Sequence, residues 1–371
     1  MSLSYWEYKT WLDGIDFAVI GSGIVGLSCA LELRKNHPSK KIVVFEKGML
    51  PAGASTKNAG FACFGSVSEI LDDLNSHSEQ EVLQLVNERV DGLKLLRENL
   101  GDETLGFKHY GGYELFTESQ NDLFEDCLKS MPEINKLLDP VFRRPIFSKR
   151  PNAFGFENCN QTVIYNAFEG QIDTGMMMQG LLEKAMKERI LILNSAQVDS
   201  LQSNSNEVRF RLNNQIECRA AKVFVATNGF SKELLKVSLS PARAQVLITK
   251  PIENLHIKGT FHLDKGYYYF RNIDNRILFG GGRNLDFEGE KTSQQGLTDL
   301  IQNELERILA HTILPGKDVQ IERRWSGIMG IGTKKRPIVK QLSNHLYCGV
   351  RLGGMGVAIG SNTGKQLANL I

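Results

Sequence analysis

The sequence predicts an α/β protein in two interleaved parts, a parallel-sheet domain and an α+β domain built on an antiparallel sheet. Three observations predict it. The apolar run Asp16-Phe17-Ala18-Val19-Ile20 ends in Gly21-Ser22-Gly23-Ile24-Val25-Gly26 and passes straight into a helical pattern. A second run, Lys41-Ile42-Val43-Val44-Phe45, closes on Glu46, 20 residues after Gly26. Far downstream, Lys222-Val223-Phe224-Val225-Ala226-Thr227-Asn228-Gly229 has the pattern of another buried strand, so the parallel sheet is rejoined after long excursions.

Strand, glycine turn, helix, strand and acid make a Rossmann-type unit for a dinucleotide, and each part has a chemical reason. Gly21 permits the tight turn, Gly23 lets backbone approach a pyrophosphate, and Gly26 lets helix and strand pack closely. The helix N-terminus offers unpaired N–H groups and a positive dipole end to the phosphates. Glu46 is placed to accept from ribose hydroxyls, and its charge would repel the 2′-phosphate of NADP.

A chain of 371 residues suits two domains. With 42% hydrophobic and 23% charged residues and a net charge of +2, it lacks the basic excess that nucleic acid or an anionic membrane would favour. No run of 18 apolar residues occurs, so no membrane span is expected. The segment 1–13, with Trp6, Glu7, Lys9 and Trp11, lacks the apolar core of a secretory signal; Met1, Ser2 and Leu3 are left out of the fold reasoning. Six cysteines (Cys29, Cys63, Cys127, Cys159, Cys218 and Cys348) are scattered without C-x-x-C, as expected of reduced, mostly buried thiols in a cytoplasmic protein. The seven histidines show no H-x-x-x-H, and no metal is expected.

Along the chain, the first helix runs to Asn36 and is broken by His37-Pro38-Ser39. Small residues crowd 48–61. Such a stretch suits a flexible loop or backbone that approaches a cofactor, and its place directly after the acidic strand favours the second. Val82, Leu85, Val86, Val90, Leu93 and Leu96 recur at helical spacing within 75–100, and 110–116 has a strand pattern. A helix is expected over 121–138. Prolines break 139–151, whose Arg143, Arg144, Lys149 and Arg150 suit a solvated loop. Asp173 or Thr174 caps a helix over 176–189, with Met176, Met177 and Met178 as packing residues. Short strands at 190–193, 196–201, 207–212 and 215–220 make a small meander. The β-rich stretch 241–321, closing in a helix over 293–310, continues the domain begun at 75–151. Finally 346–352 runs into the turn Gly353-Gly354-Met355-Gly356 and a helix over 362–371, a second site for a negative group. The expected boundaries are 14–74, 152–235 and 322–371 for the cofactor domain, and 75–151 and 236–321 for the substrate domain.

Taken in order, these pieces resemble the FAD-dependent D-amino acid oxidase superfamily, in its glycine oxidase and sarcosine oxidase branch. The resemblance covers nearly the whole chain. Its carriers are 21–26 with Glu46, Gly53-Ala54-Ser55-Thr56-Lys57-Asn58-Ala59-Gly60, Gly170-Gln171-Ile172-Asp173, Val225-Ala226-Thr227-Asn228-Gly229, Pro241-Ala242-Arg243-Ala244-Gln245, Trp325-Ser326-Gly327 and the 353–356 turn. It implies extended, non-covalent FAD, with pyrophosphate over Gly21, Ser22, Gly23 and Gly26 and the adenosine ribose on Glu46 beside Lys47. Ala54, Ser55, Lys57 and Asn58 would follow the ribityl chain and flavin edge. Val198 would hold the adenine through its backbone, and Thr227 and Gly229 would line the same ligand. Gly353, Gly354, Met355 and Gly356 would face the flavin pyrimidine, where N–H groups and a helix dipole stabilise negative charge.

On the substrate side the resemblance implies Tyr268 as a pocket tyrosine and an arginine that grips a carboxylate with two hydrogen bonds. Ile328-Met329-Gly330 stands where that arginine would follow the Trp-x-Gly, so Arg351, at the start of the longer terminal loop, is the first candidate and Arg283 the second. No lysine lies in 276–280, where sarcosine oxidases carry one near flavin N5, and no cysteine in 328–332, where that branch attaches flavin. The implied activity is oxidation of the C–N bond of a small amino acid or secondary amine. Hydride passes to flavin N5, the imine hydrolyses, and oxygen or an electron carrier accepts the electrons. That chemistry asks little acid–base help once the amine is neutral, and no histidine–carboxylate pair is expected. The alternatives are an FAD dehydrogenase of a 2-hydroxy acid or other donor feeding a quinone or carrier, and a non-turnover flavoprotein or RNA-modification partner, which the near-neutral charge disfavours.

Overall fold

The computed structural model describes residues 3–371, folded around two eight-stranded sheets between which the chain passes repeatedly. After the short helix α1 (Tyr5–Glu7), β1 (Ile15–Ile20) feeds α2 (Ile24–Asn36) and β2 (Ile42–Phe45) returns parallel to β1, as the glycine pattern requires. Next come β3 (Phe61–Ala62), α3 (Val67–Leu74) and α4 (Glu79–Leu100). The single helix expected over 75–100 is thus preceded by a second one, because Ser66 and Ser78 each build a reciprocal capping box with the glutamate three residues on.

Then β4 (Gly112–Leu115) leads to α5 (Asn121–Phe142), which continues through Pro132 and Pro140. Burial of Phe124, Cys127, Ile134 and Leu138 on one face outweighs the hydrogen bonds those prolines remove. The expected solvated loop is also partly a strand. β5 (Phe147–Pro151) is the last strand of its sheet, where exposed Lys149 and Arg150 discourage edge pairing and Arg150 stacks over Tyr165.

β6 (Thr162–Asn166), β7 (Gly170–Gln171) and α6 (Thr174–Lys187) follow, with Asp173 capping α6 through Met176 N. Met177 and Met178 pack in the core, whereas Met176 is exposed. β8 (Leu191–Leu193) pairs parallel with β2 and so leaves the expected meander, which consists of β9 (Val198–Ser203), β10 (Val208–Leu212) and β11 (Ile216–Val225). β12 (Ser240–Thr249), β13 (Thr260–Leu263), β14 (Tyr268–Ile273), β15 (Arg276–Gly281), α7 (Asp299–Ile308) and β16 (Ile321–Ile331) come next. β17 (Ile338–Ser343), β18 (Leu346–Val350) and α8 (Gly356–Ala368) complete the chain.

The first sheet has the order β17-β18-β11-β1-β2-β8, with β10 and β9 continuing from β11; the second runs β16-β12-β15-β14-β13-β4-β6-β5 and is antiparallel except for the β13–β4 pair. β6 and β16 lie in the antiparallel sheet, so the expected boundaries at 152 and 322 do not coincide with the division between sheets. Helices α2, α4, α6 and α8 share one core against the parallel sheet, while α7 packs beneath the antiparallel one. Glycines set the spacing of that helical layer. A Cβ on Gly92 of α4 would collide with the carbonyl oxygen of Ala358 in α8.

Candidate active site

A cavity of about 630 Å³ runs between the two sheets, and its two ends are built differently. At the first end the wall is mostly backbone. Gly21 holds φ at 100°, and a Cβ there would sit 3.0 Å from Ala226 O. A Cβ on Gly26 would collide with Gly21 O, so helix and turn touch through main chain alone. Ile24 N, at the start of α2, donates to Ser55 Oγ at 3.0 Å, which brings the 53–60 loop over the helix N-terminus. Glu46 is buried in the wall. Its Oε2 accepts from Ser22 N (3.1 Å) and Ser22 Oγ (2.8 Å), and its Oε1 from Gly48 N (2.9 Å). A carboxylate so held is fixed in place and still has lone pairs to offer.

Lys47 lies over the Phe230 ring at 3.5 Å, and both residues line the cavity with Val198, Thr227, Ala54, Lys57 and Asn58. The terminal turn closes this side. Gly353, Gly354, Met355 and Gly356 all line the cavity, and α8 starts at Gly356 rather than at the expected 362, which puts its dipole end at the turn itself. Asn228 secures that turn, its Oδ1 accepting from Arg351 N (3.0 Å) and Leu352 N (3.2 Å). Ser22, Gly26 and Gly229 do their work behind the wall rather than in it; Gly229 packs against Met329 O of β16.

At the other end the wall is side chain. Tyr268 is not part of it. Side chains alternate along a strand, so Tyr268 and Phe270 point into the core beneath α7, while Tyr267 and Tyr269 reach the cavity. Arg351 borders the cavity with φ at 67°, but its guanidinium is taken up by two carbonyls, Arg336 O (3.0 Å) and Ser238 O (3.3 Å). Arg283 stacks on Phe287 at 4.7 Å and forms no ion pair among the described residues; burial lowers its pKa. The fully buried Arg271 has a structural task. It donates to Ala59 O, to Ile172 O at 2.9 Å and to Asn272 O at 3.2 Å, tying β14 to the cofactor loop.

Contrary to the sequence expectation, a buried histidine–carboxylate pair stands in this wall. His262 Nε2 meets Glu169 Oε2 at 2.9 Å, and Glu114 and Glu69 lie close by. Burial pushes the Glu114 carboxyl up to about 7 against the hydrogen bonds of Ser68 and Ser66. Arg89 of α4 also lines the cavity, donating through Nη1 to Phe64 O at 2.6 Å. Apart from the Ser66–Glu69 capping box, none of these residues sits in a recognisable motif. The pairs are separated by 93 residues for His262 and Glu169 and by 46 for Ser68 and Glu114, so no local spacing could have signalled them.

The family model for FAD dependent oxidoreductases, DAO, matches residues 16–370. The chain belongs to the DAO family of FAD-dependent oxidoreductases. Among curated proteins it is similar to the probable oxidoreductase OrdL of Haemophilus influenzae, at 21% identity over 98% of this chain and 84% of that one. It is also similar to the gamma-glutamylputrescine oxidoreductase of Escherichia coli (strain K12), at 24% identity over 96% and 83%. The solved glycine oxidase from Geobacillus kaustophilus shares the fold with a TM-score of 0.75 at 18% identity, covering 96% of this chain and 94% of that one.

FAD fits the residues present. Glycines stripped of Cβ atoms open the α2 N-terminus where the pyrophosphate belongs, Glu46 waits at the end of β2, and the α8 N-terminus faces the far part of the same cavity. The protein is an FAD-dependent oxidoreductase, and no helix among the described residues is long and apolar enough to cross a membrane.

Proposed function

We propose that this oxidoreductase oxidises the C–N bond of a small amino acid or secondary amine. One observation carries the reading: the dinucleotide cradle opens without interruption into a chamber walled by Phe61, Tyr267, Tyr269, His262 and Arg283, whose guanidinium forms no ion pair among the described residues. FAD, held non-covalently, supplies the two-electron acceptor for a substrate hydride. The chain does the rest. Glu46, the 21–26 turn and Ser55 fix the adenosine and pyrophosphate. The 353–356 turn and the start of α8, which border the cavity, would offer N–H groups to the flavin. Arg283 meets the substrate carboxylate, in preference to Arg351, which already spends Nε and Nη1 on carbonyls. The rings of Phe61 and Tyr269, 5.7 Å apart, exclude water beside the reacting carbon.

The relatives support this reading through their names, a glycine oxidase and an oxidoreductase of an amine conjugate. Purified protein should be yellow, release its colour on acid precipitation, and bleach anaerobically with an amine or amino acid. No bleaching with glycine, sarcosine, proline, D-amino acids or polyamine conjugates would overturn the assignment. Arg283→Met should raise KM for a carboxylate substrate by about 10- to 100-fold, as loss of a charge-assisted hydrogen bond predicts. Stopped-flow mixing of the reduced enzyme with oxygen then separates oxidase from dehydrogenase.

A further inference from the structure

In the reading above His262 only helps wall the chamber, yet its cluster is the most elaborately built feature there. His262 sits on β13, opposite Tyr269 of β14 and edge-on to Phe61 at 5.3 Å. Glu169, just before β7, fixes the ring. Its Oε2 accepts from His262 Nε2 and from Thr260 Oγ1, both at 2.9 Å, and its Oε1 from Asn166 Nδ2 at 3.2 Å. With Nε2 engaged, Nδ1 is the ring nitrogen without a hydrogen bond among the described residues; it lies 4.0 Å from Glu69 Oε2 of α3, and both residues line the cavity. Glu114 of β4 stands behind, held by Ser66 and Ser68.

We propose that His262, oriented by Glu169, is the base that takes the proton from the substrate's ammonium nitrogen before its C–H bond breaks; the inference rests on the amine reading above. The tautomer with its proton on Nε2 donates to Glu169 and offers the Nδ1 lone pair to the substrate. An N–H bond of the ammonium breaks and its proton bonds to Nδ1. The electron pair stays on the amine nitrogen and forms the C=N bond when hydride leaves the carbon for FAD.

The surroundings stabilise the imidazolium so formed. Burial alone would push it down, but the charge and hydrogen bond of Glu169, with Glu69 and Glu114, outweigh burial and lift it to about 9. Below that value the ring is charged at rest, so only its neutral fraction can accept the substrate's proton, and that fraction grows as pH rises toward 9. The other groups facing the cluster are Cys63 and Tyr269, both raised and kept neutral by burial, and the guanidinium of Arg89, which acts on Cys63. At the cavity mouth Lys265 pairs with Asp72 at 3.6 Å.

The test uses the FAD-loaded enzyme and its best amine substrate, with flavin reduction followed by stopped flow from pH 6 to 10. The wild-type rate should climb with pH along a limb near 9. His262→Asn should slow reduction about 100-fold near pH 8.5, where a sizeable fraction of the wild-type ring is neutral, the lower range for loss of a general base. The gap should close above the substrate's own ammonium pKa, where no proton need be removed. Glu169→Gln should move the limb to lower pH, and carbon-13 NMR of the His262 ring should show the same fall without turnover. Identical profiles for wild type and His262→Asn, or a ring that titrates near its ordinary value and ignores Glu169→Gln, would overturn the inference alone. Failure of every amine to reduce the wild type would remove the amine reading and the inference with it.

Discussion

On the cofactor side the cavity wall is mostly main chain: Gly21, backed by Gly26, each without room for a Cβ, two helix starts, and Glu46 held by backbone and serine. On the substrate side it is side chain: His262 and Glu69, backed by Glu169 and Glu114, with two arginines and a pair of tyrosines drawn from α3, α4, β4, β13, β14 and the loops. A wall of backbone holds its geometry at any pH but, at Gly21 and Gly26, tolerates no added atom. A wall of charged side chains accepts volume more readily, and its stability depends on which groups carry protons. The two sides should therefore fail under different perturbations.

Gly26→Ala tests the first side most severely. The new methyl would meet Gly21 O, which belongs to the turn and cannot move away as a side-chain end can. Overpacking of this kind should cost about 3 kcal/mol. The purified variant should carry little or no flavin and melt well below wild type. A yellow Gly26→Ala protein with wild-type flavin content would show that the turn is softer than its contacts imply.

Arg271→Met acts where the two sides are tied together. It strips the donors from Ala59 O and Ile172 O and leaves those buried carbonyls unpaired, at a cost of about 2 kcal/mol. Because Ala59 lies in the cofactor loop, FAD should dissociate about 10-fold more readily, a smaller loss than Gly26→Ala causes. Flavin fluorescence on dilution measures it, and an unchanged dissociation constant would mean that the loop holds its shape without the tie.

The same contrast explains what could be read in the chain. Gly21, Gly23, Gly26 and Glu46 act within one local unit, so their spacing alone places them, and α2 and β2 follow the pattern closely. Arg283 and Arg351, the two arginine candidates, also border the cavity. Tyr268 was off by one residue in a run of three tyrosines, because the composition of the run cannot show which face of β14 turns inward. β6 and β16 joined the antiparallel sheet through pairings with β4, β5 and β12, distant partners that no window on the sequence contains. The His262 cluster was hidden for the same reason. Its members come from separate elements, and a buried charged group shows its partners only once the chain has folded.

The smallest effect tests the second side through pH. His262 has its folded-state value lifted to about 9, above the ordinary imidazole value, so the proton it binds stabilises the fold. That contribution is fully present below about pH 6.5 and is lost as pH rises through about 9. Glu114, lifted by burial to about 7, has the same sign: its neutral form suits the interior, and its contribution fades as pH rises through that value. Melting temperatures of wild type and His262→Asn should therefore differ most near pH 6 and converge toward pH 9.5, by about 2 °C for an enzyme of this size. Gly26→Ala should show no such convergence, because its damage is steric. If the wild type and His262→Asn differ by the same amount at both ends of the range, the imidazolium is not what the three glutamates stabilise, and the substrate wall is as indifferent to protons as the cofactor wall.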